Sequence, residues 1–154
     1  MNIVRYQMLC DYLDELQRIK GLEALSEGRK RKLYGDYQTD KNTQWVDIFL
    51  PESKEIPVGF LILGYPPNCH PDADFYIEEA YIKPEYRRKG LMSGVVFNYI
   101  KTNPGTYCLF ILNRNTVAYS FWFSVFAKLG YLPCPLKDVG AGDEYCKQFG
   151  FKKK

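Results

Sequence analysis

The chain has 154 residues, 46% hydrophobic and 25% charged, which gives one globular domain with one substantial core and excludes a disordered chain. Its 21 basic residues are interspersed with 18 acidic ones for a net charge of +3, so there is no broad electrostatic footprint for nucleic acid, and no such partner is expected. No apolar run is long enough to span a bilayer and the N-terminus lacks a signal-peptide core, so no membrane partner and a cytoplasmic location are expected.

Residues 2–6 read as a short strand, followed by a helix over 7–20 in which Met8, Tyr12, Leu16 and Ile19 form one stripe before Gly21. Residues 22–40 leave room for a second helix, with Arg29-Lys30-Arg31-Lys32 as a solvated face. The β-branched and aromatic runs 45–50 and 58–63, with Pro51 to Pro57 supplying a turn, read as a β-hairpin. A proline-rich loop carrying Cys69, His70 and Asp72 leads to a strand at 74–83, and the lone His70 reads as an exposed loop histidine. Over 89–101 the residues Leu91, Val95 and Tyr99 share one helical stripe with Met92, Val96 and Ile100 beside it, and Asn103-Pro104-Gly105 stops that helix. A strand at 106–112 and a helix at 116–129, closed by Gly130, come next. Two last strand candidates, 131–136 and 144–151, flank a Gly140-Ala141-Gly142-Asp143 turn, and Lys152-Lys153-Lys154 reads as a frayed tail. The five cysteines contain no C-x-x-C pair, so reduced thiols are expected, with no disulfide framework and no metal.

The segment from Tyr81 to Met92 carries the clearest chemistry. An apolar strand runs into Arg87-Arg88-Lys89-Gly90 where a helix begins, and the first N–H groups of a helix have no internal partner. They coincide with the positive end of the helix dipole and so bind an anion, while Gly90 lets the ligand approach the backbone.

Arg87 and Gly90 fit the acyl-CoA-binding pattern of the GNAT superfamily of N-acetyltransferases, which this segment resembles: Arg or Gln, two residues, Gly, one residue, then Gly or Ala. Met92 stands at the last position, where a small residue is usual. The resemblance implies a mixed α/β fold, with a sheet flanked by helices, over the whole of residues 1–154. It implies that Arg87, Arg88, Lys89, Gly90, Leu91 and Met92 hold the CoA pyrophosphate. Backbone groups near Tyr81, Ile82 and Lys83 would pair with the pantetheine arm, one N–H polarising the thioester carbonyl. Asn115, just after a strand, matches an Asn that contacts CoA. The Tyr that commonly protonates the leaving thiolate is replaced by Phe126 when counted back from Gly130, and by Trp122 when counted forward from Asn115. Tyr119, one turn away, is a substitute proton donor or a core aromatic.

An amine is protonated at neutral pH and needs a base before it can attack a thioester. Residues 77–82 resemble the family strand that precedes the phosphate loop, in which an acidic residue often serves the acceptor amine, and Glu78 is the expected base, acting directly or through water. Strand alternation puts Asp74, Tyr76 and Glu78 on one face, and Phe75, Ile77, Glu79 and Tyr81 on the other, so Glu79 joins Glu78 in one pocket only if the strand bulges. If Glu78 faces the acceptor, Asp74 and Tyr76 face the same way, an acidic, aromatic wall that favours a cationic acceptor, and Glu79 is a further candidate for acceptor binding. The expected activity is transfer of an acetyl group from acetyl-CoA to a primary amine, preferably a small cationic one. A protein lysine or N-terminal amine is the alternative acceptor, a non-catalytic CoA-binding sensor or structural module the alternative function, and a homodimer is left open.

Overall fold

A computed structural model describes residues 1–137 and 144–154, and the expected turn at 140–143 lies outside the described residues. Helices α1 (Ile3–Lys20) and α2 (Glu27–Thr39) come first, then strands β1 (Thr43–Ile48), β2 (Gly59–Gly64) and β3 (Phe75–Ile82). A 3-10 turn at Pro84–Tyr86 leads into α3 (Leu91–Thr102), followed by β4 (Tyr107–Leu112), α4 (Thr116–Lys128), β5 (Tyr131–Cys134) and β6 (Cys146–Lys153). The strands form one mixed sheet in the order β1-β2-β3-β4-β6-β5, in which β3 and β4 are parallel and every other pair is antiparallel.

Residues 3–6, expected as strand, are the first turn of α1. Asn2 caps it, its side-chain oxygen accepting the Arg5 N–H at 3.1 Å, and Tyr6, Leu9, Cys10 and Leu13 repeat at helical spacing and are buried. The stripe named from the sequence is therefore displaced: Tyr12 and Ile19 lie on the neighbouring face of the helix and line a cleft. Gly21, at φ 73°, closes α1 with its N–H on Arg18 O while Leu22 N–H reaches Gln17 O, a left-handed cap that suits glycine. The lysine tail is no frayed end: Lys152 and Lys153 pair with Leu132 and Tyr131 in the sheet.

Two apolar layers sandwich the sheet. Leu61, Leu63, Ile77 and Ile82 point to one face, where α3 and α4 bring Val96, Ile100, Trp122 and Phe126. Phe60, Ile62 and Tyr81 point to the other, against Tyr6, Leu9 and Leu13 of α1 and Tyr34 of α2. The α1–α2 pair is tied by Lys30 to Asp14 at 2.8 Å and anchored to β1 by Arg5, which grips Asp47 through Nε at 3.0 Å and Nη2 at 2.8 Å. Among the described residues no helix is long and apolar enough to cross a membrane.

The α3–α4 layer is built largely on aromatics, with Phe126 stacked on Phe151 at 4.1 Å and both rings fully buried. Phe126→Ala is expected to lower the unfolding free energy by about 3–5 kcal/mol in urea denaturation, through lost burial and a residual cavity.

Candidate functional site

The parallel pairing of β3 and β4 covers only Phe75–Ile77 against Tyr107–Leu109. Beyond it β3 continues to Ile82 along β2, and β4 continues to Leu112 along β6, so the two strands diverge. The wedge opens into a cleft of about 630 Å³ bounded by α1, the start of α3 and the start of α4. Backbone groups that would complete a ladder face into it.

Which groups these are follows from the ladder. The Lys83 N–H donates to Val58 O at 2.9 Å, and antiparallel pairing alternates, so Tyr81 and Lys83 turn their peptides to β2 while Ala80 and Ile82 turn theirs to the cleft. Of the three expected pantetheine partners, Ile82 alone has this orientation, and Ala80 joins it. Ile82 O already accepts the Arg87 Nε–H at 2.8 Å.

That bond is one of three contacts holding the Arg87 side chain. Its Nη2 meets Glu15 Oε2 of α1 at 2.7 Å, and its guanidinium lies 5.6 Å from the centre of the Tyr81 ring. The loop then turns through left-handed conformations at Arg88 (φ 63°) and Gly90 (φ 74°) before α3 begins. The first bond of that helix runs from Gly94 N–H to Gly90 O, so the N–H groups of Leu91, Met92 and Ser93 have no helical acceptor and point out of the helix end into the cleft. Arg87, Arg88, Gly90, Leu91 and Met92 line the cleft. Lys83 and Lys89 stand outside it, the Lys89 ammonium lying 5.6 Å from the Tyr86 ring.

Asn115 caps α4, its Oδ1 accepting the Ala118 N–H at 3.0 Å, and borders the cleft with its amide nitrogen left over. Along α4 the cleft-facing side is Val117, Ala118, Phe121 and Trp122. Tyr119 is on the other side, packed against Phe123 and, at 5.3 Å, Phe149 of β6, so it does not reach the cleft as the sequence reading allowed. Trp122 forms wall and Phe126 lies wholly in the core.

The carboxylates are arranged by a β-bulge. Ile62 is opposite Glu79 and Leu63 is opposite Ile77, leaving Glu78 as the extra residue in β3. The alternation expected from the sequence breaks there. Glu79 and Tyr81 are moved to the α1–α2 face, where Tyr12 meets them, while Phe75 and Ile77 stay with the α3–α4 layer. Both glutamates line the cleft. Tyr76, beside them on the strand, packs on Phe110 at 6.0 Å, outside the cleft lining. Asp74 does not reach the cleft either: it sits at the start of β3 and accepts the Thr106 N–H at 2.8 Å.

Glu78 Oε2 is buried without a hydrogen-bond partner, and its carboxyl is pushed up to about 7 by loss of solvent first, then by the charges of Glu79 and Asp40. Glu79 accepts the hydroxyls of Tyr12 and, at 3.0 Å, Tyr37. Burial raises its carboxyl while the two hydroxyls and the Lys20 charge oppose that rise. Neither tyrosine was expected at the site from the sequence, where Tyr12 read only as part of a helical stripe. Tyr12 is detectable in hindsight from the Tyr12, Glu15, Ile19 spacing along one helix face, whereas the Tyr37–Glu79 contact spans 42 residues and has no local signal.

His70 is half-buried rather than exposed; its Nδ1 accepts the Asp72 N–H at 3.0 Å and its Nε2 lies 2.5 Å from Lys137 O. Among the described residues no group of three His, Cys, Asp or Glu side chains is placed to hold a metal.

No protein-family model matches the sequence, and no curated protein matches it. Solved structures do match the fold. An acetyltransferase from Thermus thermophilus superposes with a TM-score of 0.67 at 14% identity, over 96% of this chain and 88% of that one. A GNAT-family acetyltransferase from Staphylococcus aureus gives 0.60 at 12% identity, over 99% and 94%. Spermidine N-acetyltransferase from Vibrio cholerae, solved with CoA and spermine, gives 0.59 at 12% identity, over 96% and 87%. With its mixed six-stranded sheet, splayed central strands and flanking helices, the chain has the fold of the GNAT acetyltransferases.

Proposed function

We propose that the chain is an acyl-CoA-dependent N-acetyltransferase acting on a small cationic primary amine, with Glu78 as the base. The observation that carries this reading is the convergence, in one cleft, of an open helix N-terminus, inward-facing strand amides and a carboxyl pushed up to about 7. The diphosphate of acetyl-CoA fits against the N–H groups of Leu91, Met92 and Ser93 beside Arg88, and the pantetheine amides fit the free peptide edge at Ala80 and Ile82. An N–H on that edge is the donor to the oxyanion as the thioester carbonyl is attacked.

Glu78, ionised, takes a proton from the ammonium, and the freed nitrogen pair forms the C–N bond. The C–S electrons leave on sulfur, the thiolate gains a proton, and the nitrogen gives its excess proton to solvent. The balance is ammonium plus thioester to amide, free thiol and one proton. A thiol titrates near ~8.5, so its thiolate departs near neutral pH without an obligatory acid, which is compatible with Trp122 and Phe126 standing where a phenol is usual. No step uses a metal.

The acceptor class is supported by chemistry on the cleft wall: two carboxylates beside Tyr12 and Phe110 attract an ammonium. The Vibrio cholerae structure, which holds spermine, is a precedent for that class within the fold.

Release of free thiol from acetyl-CoA, followed over a panel of small amines, lysine peptides and free peptide N-termini, tests the reading. Turnover fastest on small cationic amines is expected; CoA binding without thiol release across the panel would leave a binding module instead. Glu78→Gln is expected to reduce kcat/KM by about 10²–10⁴-fold. In the wild type, the acid limb of kcat/KM should bend near the Glu78 midpoint, about 7, with activity rising as that group deprotonates. Arg87→Ala should raise the KM for acetyl-CoA about tenfold with a smaller effect on kcat, because it frees the loop that presents the helix end.

The same carboxyl also couples to folding. Its folded-state midpoint, about 7, lies above the ordinary value of 4.5, so the folded protein binds the extra proton between those pH values and loses stability as pH rises through them. Urea denaturation of Glu78→Gln and wild type should show the variant gaining relative stability between pH 4.5 and pH 7.

A further inference from the structure

We propose that Glu79 is a positioning residue for Glu78: one tyrosine hydroxyl from each of α1 and α2 holds its carboxyl group beside the bulged glutamate, and its charge adds to burial in raising the proton affinity of Glu78. The proposal goes beyond the assignment of a base, and it rests on that assignment only for its kinetic consequence.

The geometry is built rather than incidental. Without the bulge, the side chains of residues 78 and 79 would leave the strand on opposite faces. With it, both glutamates line one cleft, and the Glu79 oxygens are taken one each, Oε2 by Tyr12 and Oε1 by Tyr37. Burial raises the Glu79 carboxyl, and the two hydroxyls it accepts oppose that rise by favouring the ionised form, whereas Glu78 has a buried oxygen with no partner and no such help. The two carboxyls are thereby made unlike, Glu79 being assisted toward its charged form and Glu78 left without that assistance.

The surrounding charges agree with that division. On the α1 side Lys20 acts on Glu79 and favours its ionised form. On the α2 side Asp40, which accepts the Asn42 N–H at 2.8 Å and Asn68 Nδ2 at 2.8 Å, acts on Glu78 in the same sense as Glu79 but more weakly. Along β3 the neighbouring phenol is Tyr76, whose proton is held more firmly by burial and by both glutamates; from β4 and β6 the titratable groups acting on it are the Cys108 and Cys146 thiols. Tyr12 and Tyr37 are themselves held protonated, first by burial and then by the Glu79 charge, and so remain donors.

The test is a carboxyl ¹³C NMR titration of protein labelled at glutamate, with the Glu78 signal assigned by its loss in E78Q. In E79Q the Glu78 midpoint is expected about one pH unit lower than in wild type, the scale of a neighbouring charge, and the acid limb of kcat/KM should move with it. Y12F/Y37F removes both donors, lets Glu79 keep its proton and should also lower the Glu78 midpoint, which covers the case of an E79Q protein that does not fold. E79D, which keeps the charge, should move it less than E79Q. A Glu78 midpoint unchanged in E79Q, or moved upward, overturns the proposal. Failure of every amine to release thiol would end the acetyltransferase reading and leave this titration standing, so the two are separable.

Discussion

The parting of β3 from β4 after three paired residues is the constraint on which the rest of the structure depends. Each strand keeps its outer ladder, β3 with β2 and β4 with β6, so the wedge opens without loosening either strand. What remains is a one-sided row of peptide groups at Ala80 and Ile82, with Ile82 O taken by Arg87 and no strand to satisfy the rest. In the proposed reading a ligand carrying amides or a carbonyl completes that row, and the wedge ends at a helix terminus suited to an anion.

The rest of the molecule holds the wedge and charges it. Arg87 joins three parts of the wall, the end of β3, the face of Tyr81 and Glu15 of α1, so the loop before α3 is tied to the helix on the opposite rim. The bulge at Glu78 matters for electrostatics more than for the ladder. It converts two consecutive glutamates from a pair on opposite faces into a pair in one cleft, and the α1–α2 layer then supplies the hydroxyls that make them unlike.

Helix α4 shows how packing limits chemistry. Its core side inserts Phe126 between Phe151, Tyr107 and Tyr131, and its cleft side presents Phe121 and Trp122. Tyr119, the phenol on this helix, is directed at Phe149 by the same 3.6-residue period that directs Trp122 at the cleft. In the proposed reaction, proton donation to the leaving thiolate falls to groups elsewhere or to water, a modest demand for a leaving group of that acidity.

The elements from β1 to α4 were legible in the sequence because each is governed by local periodicity and by nearby turn and cap residues, and so was the turn into α3, whose Arg87 and Gly90 are close in the chain. The strand expected at 2–6 failed because five residues do not distinguish strand from helix, and the Asn2 cap and the buried Tyr6, Leu9 and Leu13 stripe decide for helix. Glu78 was visible as a carboxylate before the Arg87–Gly90 turn, yet its surroundings depend on features without local signature. The bulge arises from how β3 registers on β2, the Tyr12 and Tyr37 hydroxyls come from helices 67 and 42 residues away, and Asp74 is drawn off by a backbone amide at Thr106. Short-range sterics and unpaired helix amides make the elements from β1 to α4 and the open helix end after Gly90 readable from the chain alone. Which side chains share the cleft, and in which direction each proton affinity moves, comes from the assembled sheet, because strand register and burial exist only there.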